Sequence, residues 1–354
     1  MCSLSNLDLA FKKAKKGKTH VDYVKNFEEN LNNELQLLHT ELTTQTYAPR
    51  TLKRFTIRDP KTRVIHASAF RDRVVYPALV NILEPIYERI FIYDSYASRK
   101  EKGTHKAVQR FDFWKRKITK NGQKVKNASN NNHVQGYCLK ADIWHYFDTV
   151  DHNTLLTILQ KKIQDRQVLW LIQKILHNFE NSFAGKGMPL GNLTSQFFAN
   201  VYLNELDYFV KHVLKAKYYM RYVDDFVILH QEKKTLSVYK EKINMFLKDN
   251  LQLELHPSKS KIIPLRNGIT LLGYVIFYHY KILRKSNRKK FERNFSENLV
   301  LYEKEAISDI ELMQRVKGWC GYAQWANTYR LRRKNFQILQ ETINTNTIPY
   351  PIEF

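Results

Sequence analysis

Apolar positions along this chain switch between a helical and an alternating period. From Tyr23 to Leu42, Phe27, Leu31, Leu35 and Leu38 recur at helical spacing, which predicts an amphipathic helix whose stripe packs into a core. A lysine-rich helix, Leu9 to Lys18, is expected before it. Phe55-Thr56-Ile57, the basic stretch Asp59-Pro60-Lys61-Thr62-Arg63 and then Val64 to Ala67 read as strand, turn, strand. A helical stretch follows from about Ala69 to Ile90, then a mixed basic segment from Tyr93 to Gly103. Residues 120–135 are polar, with an Asn-Gly pair and the run Asn130 to Asn132, and predict a flexible loop or hairpin.

The second half begins with a strand from Tyr137 to about Ile143, followed by helices near 151–165 and 167–179. A glycine-bearing loop, Gly185 to Gly191, leads into a helix from about Leu193 to Leu214. Two apolar runs then flank Tyr222-Val223-Asp224-Asp225, a pattern that predicts a β-hairpin with adjacent carboxylates at its turn. A helix near 234–251, a strand pair near 261–283 and a basic helical C-terminal part complete the pattern, with no internal repeat.

Charge changes the picture more than composition does. The 354 residues carry 58 Lys and Arg against 34 Asp and Glu, a formal net charge of +24, which points to a polyanionic partner, most often nucleic acid. Cys2, Cys138 and Cys320 have neither zinc-site nor disulfide spacing, as suits a reducing compartment. No apolar signal core or membrane-length run occurs, so a cytoplasmic protein with no membrane partner is expected.

Against that basic background, clustered carboxylates stand out. Two on one tight turn favour a divalent cation, and an oxygen-only site suits Mg²⁺. Asp142, at the end of a strand, is too early to cap the following helix, a duty that falls to Asp148 or Asp151. An unneutralised strand-end carboxylate is costly to bury. Beside the hairpin turn, Asp142 and Asp224 would bridge two cations, enough to activate a 3′-hydroxyl and stabilise leaving pyrophosphate.

Several motifs in a fixed order then resemble reverse transcriptases over nearly the whole chain. Phe70-Arg71-Asp72-Arg73-Val74-Val75 looks like the fingers motif and Tyr222-Val223-Asp224-Asp225 like the palm signature. Leu253 to Lys259 is similar to the family's lysine motif, and Gly268 to Tyr274 to its primer-grip segment. Gly187-Met188-Pro189-Leu190-Gly191-Asn192-Leu193-Thr194-Ser195-Gln196 ends in Ser-Gln, a form similar to enzymes of diversity-generating retroelements, as is Asp94 to Gly103. Ser98 and Glu101 depart from the Cys and Gly of that pattern, and Leu190 from its usual Ile. Bacterial antiphage defence enzymes are near neighbours of the same pattern.

The resemblance implies an α+β right-hand polymerase fold: an N-terminal extension and fingers over 1–135, an antiparallel-sheet palm with part of the fingers over 136–283, and a short helical thumb over 284–354. It implies RNA-directed DNA synthesis from dNTPs on an RNA template and a DNA or RNA primer, with two Mg²⁺ ions. Asp142, Asp224 and Asp225 would form the metal and catalytic set, Asp225 acting mainly behind the direct ligands. Lys61 and Arg63 would bind the triphosphate, where Arg can grip two oxygens at once. Phe147 would be a steric gate against the 2′-hydroxyl, or an ordinary core residue. Lys259 would protonate or neutralise pyrophosphate, or be a plain surface lysine. Leu190 and Gln196 would touch the nascent base pair or template, or pack beneath the palm. Arg284, Lys285, Arg288, Lys289 and Lys290 would grip nucleic acid, while Trp319, Tyr322, Trp325 and Tyr329 read as core rather than stacking platforms. After such a thumb no residues are expected for an RNase H or endonuclease domain. The diversity-generating case implies an accessory protein oligomer and a structured RNA. A catalytically inactive nucleic-acid-binding scaffold is the reading from another class.

Overall fold

The computed structural model describes residues 1–58 and 62–343. The chain opens with α1 (Leu4–Lys15), α2 (Asp22–Glu29), α3 (Leu31–Thr43), the hairpin β1 (Lys53–Ile57) and β2 (Arg63–Ala67), α4 (Asp72–Glu88) and α5 (Thr104–Ile118). Next come β3 (Tyr137–Ala141), the single turn α6 (Tyr146–Thr149), α7 (His152–Gln160), α8 (Arg166–His177) and α9 (Leu193–Tyr208). Strands β4 (Tyr219–Tyr222) and β5 (Asp225–His230) precede α10 (Lys233–Leu251). Strands β6 (Lys261–Pro264), β7 (Ile269–Leu271), β8 (Tyr274–Ile276) and β9 (Lys281–Leu283) lead to α11 (Lys285–Glu303), α12 (Asp309–Ala323) and α13 (Tyr329–Thr342).

Two compact units divide the chain, the first made of residues 1–103, 139–228 and 234–261, the second of 104–138, 229–233 and 262 onward. The first unit holds its core between helices and sheet. Val74, Val75, Ala78 and Leu79 of α4 are buried, as are Phe198, Val201 and Tyr202 of α9. α1 lies along α4, where Asn6 Nδ2 donates to the Ala78 carbonyl at 2.9 Å. Three strands of one sheet run in the order β4-β5-β3, with β4 and β5 antiparallel in the register Tyr222 to Asp225. Asp151 N-caps α7 through Thr154 N at 2.8 Å, the duty expected of it, whereas Asp148 faces His145 Nδ1 at 3.3 Å.

In the second unit β7, β8 and β9 form an antiparallel sheet. Phe291, Phe295, Leu312, Val316 and Leu339 make the core of its three C-terminal helices. Trp319 stacks on Phe291 at 3.5 Å between centroids, so this aromatic is core, as its spacing predicts. Tyr329, by contrast, is exposed.

Element boundaries depart from the periodicity in instructive places. The expected helix over Tyr23 to Leu42 is two, because Asn30 takes φ −110° and ψ 25° and breaks the ladder between α2 and α3. Its stripe continues across the break, so the pattern of apolar positions cannot reveal it. The helix ending near Leu214 finishes as a π turn, Phe209–Val213. Residues Lys124 and Val134 pair within the polar insert, the hairpin alternative of that reading.

Candidate active site

The site is built from chain segments far apart in sequence, all within the first unit. Asp142 follows β3 directly, at the strand end expected of it. A strap formed by residues 253–260 fastens it. His256 N donates to the Asp142 carbonyl at 2.7 Å, and Ser260 Oγ donates to the same carbonyl at 3.2 Å. Asp142 N stands 3.3 Å from the same Ser260 oxygen. Trp144 N donates to Glu254 O at 2.9 Å, extending the strap. Its last basic residue, Lys259, places Nζ 3.2 and 3.4 Å from the two Asp142 oxygens.

Asp224 lies on the two-residue loop between β4 and β5, and Asp225 opens β5. Val223, the first loop residue, sits at φ +56°, a region where a β-branched residue is strained. The Asp224 carboxyl is pushed up to about 6, first by burial, then by the neighbouring charges of Asp225 and Asp142; Lys259 acts in the opposite sense. Asp142 and Asp224 thus feel one another's charge across the sheet.

Among the described residues, no group of three or more His, Cys, Asp and Glu stands close enough to hold one metal ion. The three acids do not close into a single cage here, because adjacent residues at a strand start diverge and Lys259 is drawn onto Asp142. Mg²⁺ requires less than a cage. It is commonly held by one or two carboxylates, with water and substrate phosphates completing its shell. A half-buried carboxyl raised by desolvation and two like charges, one of them held by a lysine, is a donor set that fits such an ion.

The pH dependence of stability follows from Asp224. Its folded-state pKa lies above the usual carboxylate range, so the stability from keeping the proton is present below about pH 4 and is lost as pH rises through about 6. In the presence of chelator, Asp224→Asn is expected to raise stability at pH 7.5 by on the order of 2 kcal/mol, an advantage that shrinks on acidification toward pH 4. Thermal melts at several pH values check this; a pH-independent difference contradicts the assignment.

Around the acids, Phe147 is half-buried on the α6 turn, and its carbonyl accepts from Met188 N at 2.7 Å. That bond brings the Gly187–Gln196 loop to Phe147. Gly187 permits it: a Cβ there would lie 2.2 Å from Asn181 Nδ2, at φ +92°. Leu190 is half-buried and Gln196 exposed, its Oε1 accepting from Ser98 Oγ at 3.1 Å. Buried Asn192, which opens α9, accepts from Ser68 Oγ at 2.8 Å, and Arg73 Nε donates to Ser68 O at 2.8 Å. The Phe70–Val75 motif is thereby tied to this loop. Its Asp72 is buried, accepting from Tyr47 Oη at 2.6 Å and Arg50 N at 3.0 Å. Arg63 is exposed at the start of β2, while Lys61 lies outside the described residues.

The remaining basic candidates belong to the second unit. Arg284 N-caps α11, and Arg284, Lys285, Arg288 and Lys289 are exposed, whereas Lys290 is half-buried. Lys285, Arg288 and Lys289 line a groove of about 830 Å³ with Tyr329 and Arg330. Glu292 also lines it and accepts from Arg288 Nε at 2.8 Å. Sequence reasoning assigned Tyr329 to the core rather than to this groove, and it missed Arg330 here and, at the acids, His256 and Ser260. Arg330 sits in the basic helical C-terminal part but 40 residues past the lysine run. The pair at the acids acts through a backbone amide and a single hydroxyl, which leave no pattern.

Residues 57–276 match the sequence profile of the family described as reverse transcriptase (RNA-dependent DNA polymerase). The chain is 28% identical over 295 residues to protein YkfC of Escherichia coli, covering 72% of each chain. It is 29% identical over 229 residues to the group II intron-encoded protein LtrA of Lactococcus lactis, covering 61% of this chain and 35% of that one, so it spans about a third of that relative. Among solved structures, telomerase from Candida albicans aligns at a TM-score of 0.47 and 10% identity, covering 68% of this chain and 48% of the other. No helix among the described residues is long and apolar enough to cross a membrane. With most of its length matched to one family, the chain belongs to the reverse transcriptases, the RNA-dependent DNA polymerases.

Proposed function

We propose that the protein extends a DNA or RNA primer with dNTPs on an RNA template by two-metal catalysis centred on Asp142 and Asp224. The observation that carries this reading is the half-buried Asp224 carboxyl on the hairpin whose strand β5 neighbours β3, raised to about 6 by desolvation and by Asp225 and Asp142, with Lys259 acting in the opposite sense from its place on Asp142. Two Mg²⁺ ions, when bound, would lower the pKa of the primer 3′-hydroxyl and neutralise charge on the leaving pyrophosphate. Asp142 and Asp224 would hold them, with Asp225 supporting the turn from behind. Lys259, relieved of Asp142, would turn its charge to the triphosphate and donate a proton to pyrophosphate. Arg63 and Lys61 on the fingers hairpin would grip phosphate oxygens. Phe147 would lie under the sugar and exclude a 2′-hydroxyl. Arg284, Lys285, Arg288, Lys289 and Lys290 would bind the duplex backbone as part of a thumb over 284–354, with fingers within 1–135 and palm within 136–283.

The biological role we favour is error-prone cDNA synthesis in a diversity-generating retroelement, by a bacterial or phage-encoded protein of the cytoplasm, with an accessory protein oligomer and a structured RNA as partners. The Leu-Gly-x-x-x-Ser-Gln loop supports it: apolar Leu190 cannot hydrogen-bond a nucleotide, and a weaker geometric check follows. Copying of a non-coding RNA in antiphage defence is the alternative role. One experiment tests both layers: primer extension on a defined RNA, with sequencing of the cDNA. Misincorporation opposite template adenine about tenfold above the other bases is expected. Equal fidelity at all four bases removes the diversity-generating role, and absence of extension removes the polymerase reading.

A further inference from the structure

Beneath the acid-bearing turn lies a polar network that the chemistry above does not use. Arg221 and Asp207 are both fully buried. Arg221 Nε donates to Asp207 Oδ1 at 2.8 Å and Nη2 to Oδ2 at 2.6 Å, a bidentate pair. Tyr219 Oη donates to Asp207 Oδ1 at 2.6 Å. The remaining nitrogen, Nη1, donates to Asn200 Oδ1 at 3.0 Å and to the Val223 carbonyl at 3.0 Å. Asn200 Nδ2 in turn donates to Ala97 O at 2.9 Å. The backbone of Arg221 is fixed as well: its N–H donates to Asp94 O, and its carbonyl accepts from Tyr96 N, both at 3.0 Å. The segment 94–97 therefore clamps the same strand from outside the hairpin.

We infer that Arg221 is a positioning residue for the polymerase reaction: it grips the Val223 carbonyl, holds that residue in its left-handed conformation, and so sets where the Asp224 carboxylate points. Two independent features support a geometric role. Val223 at φ +56° persists only where surroundings enforce it, and Arg221 supplies the enforcing bond. The guanidinium charge is cancelled by Asp207 at contact distance, which leaves its directed N–H groups as what it offers the turn. Lysine carries the same charge but lacks the planar fork, so it cannot span Asp207, Asn200 and Val223 together. The inference rests on the turn being the reaction centre, as proposed above.

The test pairs Arg221→Lys, which keeps Asp207 neutralised, with the double variant Arg221→Met/Asp207→Asn, which removes both charges yet leaves Tyr219 an acceptor. Hydrogen exchange read by mass spectrometry is expected to show the peptide over residues 219–230 exchanging faster in Arg221→Lys, while α9 away from Asn200 keeps its protection. In primer extension kcat is expected to fall about 10- to 100-fold, the cost of a misplaced catalytic group, with the dNTP KM within about twofold and the protein folded at assay temperature. Unchanged exchange at the turn, or a wild-type kcat, overturns the assignment. So does a loss of activity that only tracks the loss of folded protein. If Arg221→Lys does not fold, the double variant is judged by the same criteria, and if neither folds Arg221 is a core residue and no more. An inactive wild-type protein with a loosened turn in the variant strikes the polymerase reading and leaves the grip standing.

Discussion

Asp224→Ala is expected to lower primer extension on an RNA template by about a thousandfold or more, with binding of template and primer retained. The magnitude follows from what the carboxylate is asked to hold. A divalent cation stabilises several kcal/mol of charge developing on attacking and leaving oxygens, and each 1.4 kcal/mol is worth about tenfold in rate. Removing Asp224 takes away one of two carboxylates that feel each other's charge, leaving Asp142 already engaged by Lys259. The variant should fold well, because a half-buried carboxyl raised by desolvation and like charge is a destabilising element. Single-nucleotide incorporation with a preannealed primer is the measurement. Activity within tenfold of wild type would remove Asp224 from the catalytic set.

The second large effect is on sugar choice. Phe147→Val is expected to raise ribonucleotide incorporation relative to deoxynucleotide by about a hundredfold, mostly through the ribonucleotide KM. A site discriminates strongly only when the unwanted substrate meets a clash or an unpaired group. Phe147 is half-buried and not locked into the core, and its carbonyl fixes the loop that carries Leu190. Because that bond is to the backbone, the substitution shortens the side chain without releasing the loop. Competition between rNTP and dNTP at one template position reads the ratio. An unchanged ratio with normal dNTP kinetics makes Phe147 a packing residue.

Much of the site's frame was legible in the sequence because it rests on local patterns. The hairpin at 222–225 announces itself by two apolar runs meeting at a pair of acids, and the strands do pair there, Tyr222 opposite Asp225. Asp142 could be singled out because a strand-end carboxylate needs a partner. Its partner Lys259, 117 residues away, came only through motif order. What stayed hidden is side-chain work within apolar elements. Asp207 falls among the buried positions of α9, and Arg221 lies in the strand run before the acids, where periodicity registers them as exceptions and no more. The break at Asn30 was invisible for a related reason: the stripe of Phe27, Leu31 and Leu35 keeps its phase through a single non-helical residue. Folding decided these features through long-range pairing rather than local preference.

The strap across Asp142 also sets an order of events during synthesis. The amide and hydroxyl that hold the Asp142 backbone, and the ammonium on its carboxylate, come from residues up to 118 positions downstream. Contacts of such sequence separation form late, after loop closure has been met. A ribosome-bound chain halted before His256 would already carry the whole acid pair yet lack the fastening that aims one member of it. Premature termination products of this length should therefore be inert as copying enzymes, so that the cell is spared stray synthesis from fragments.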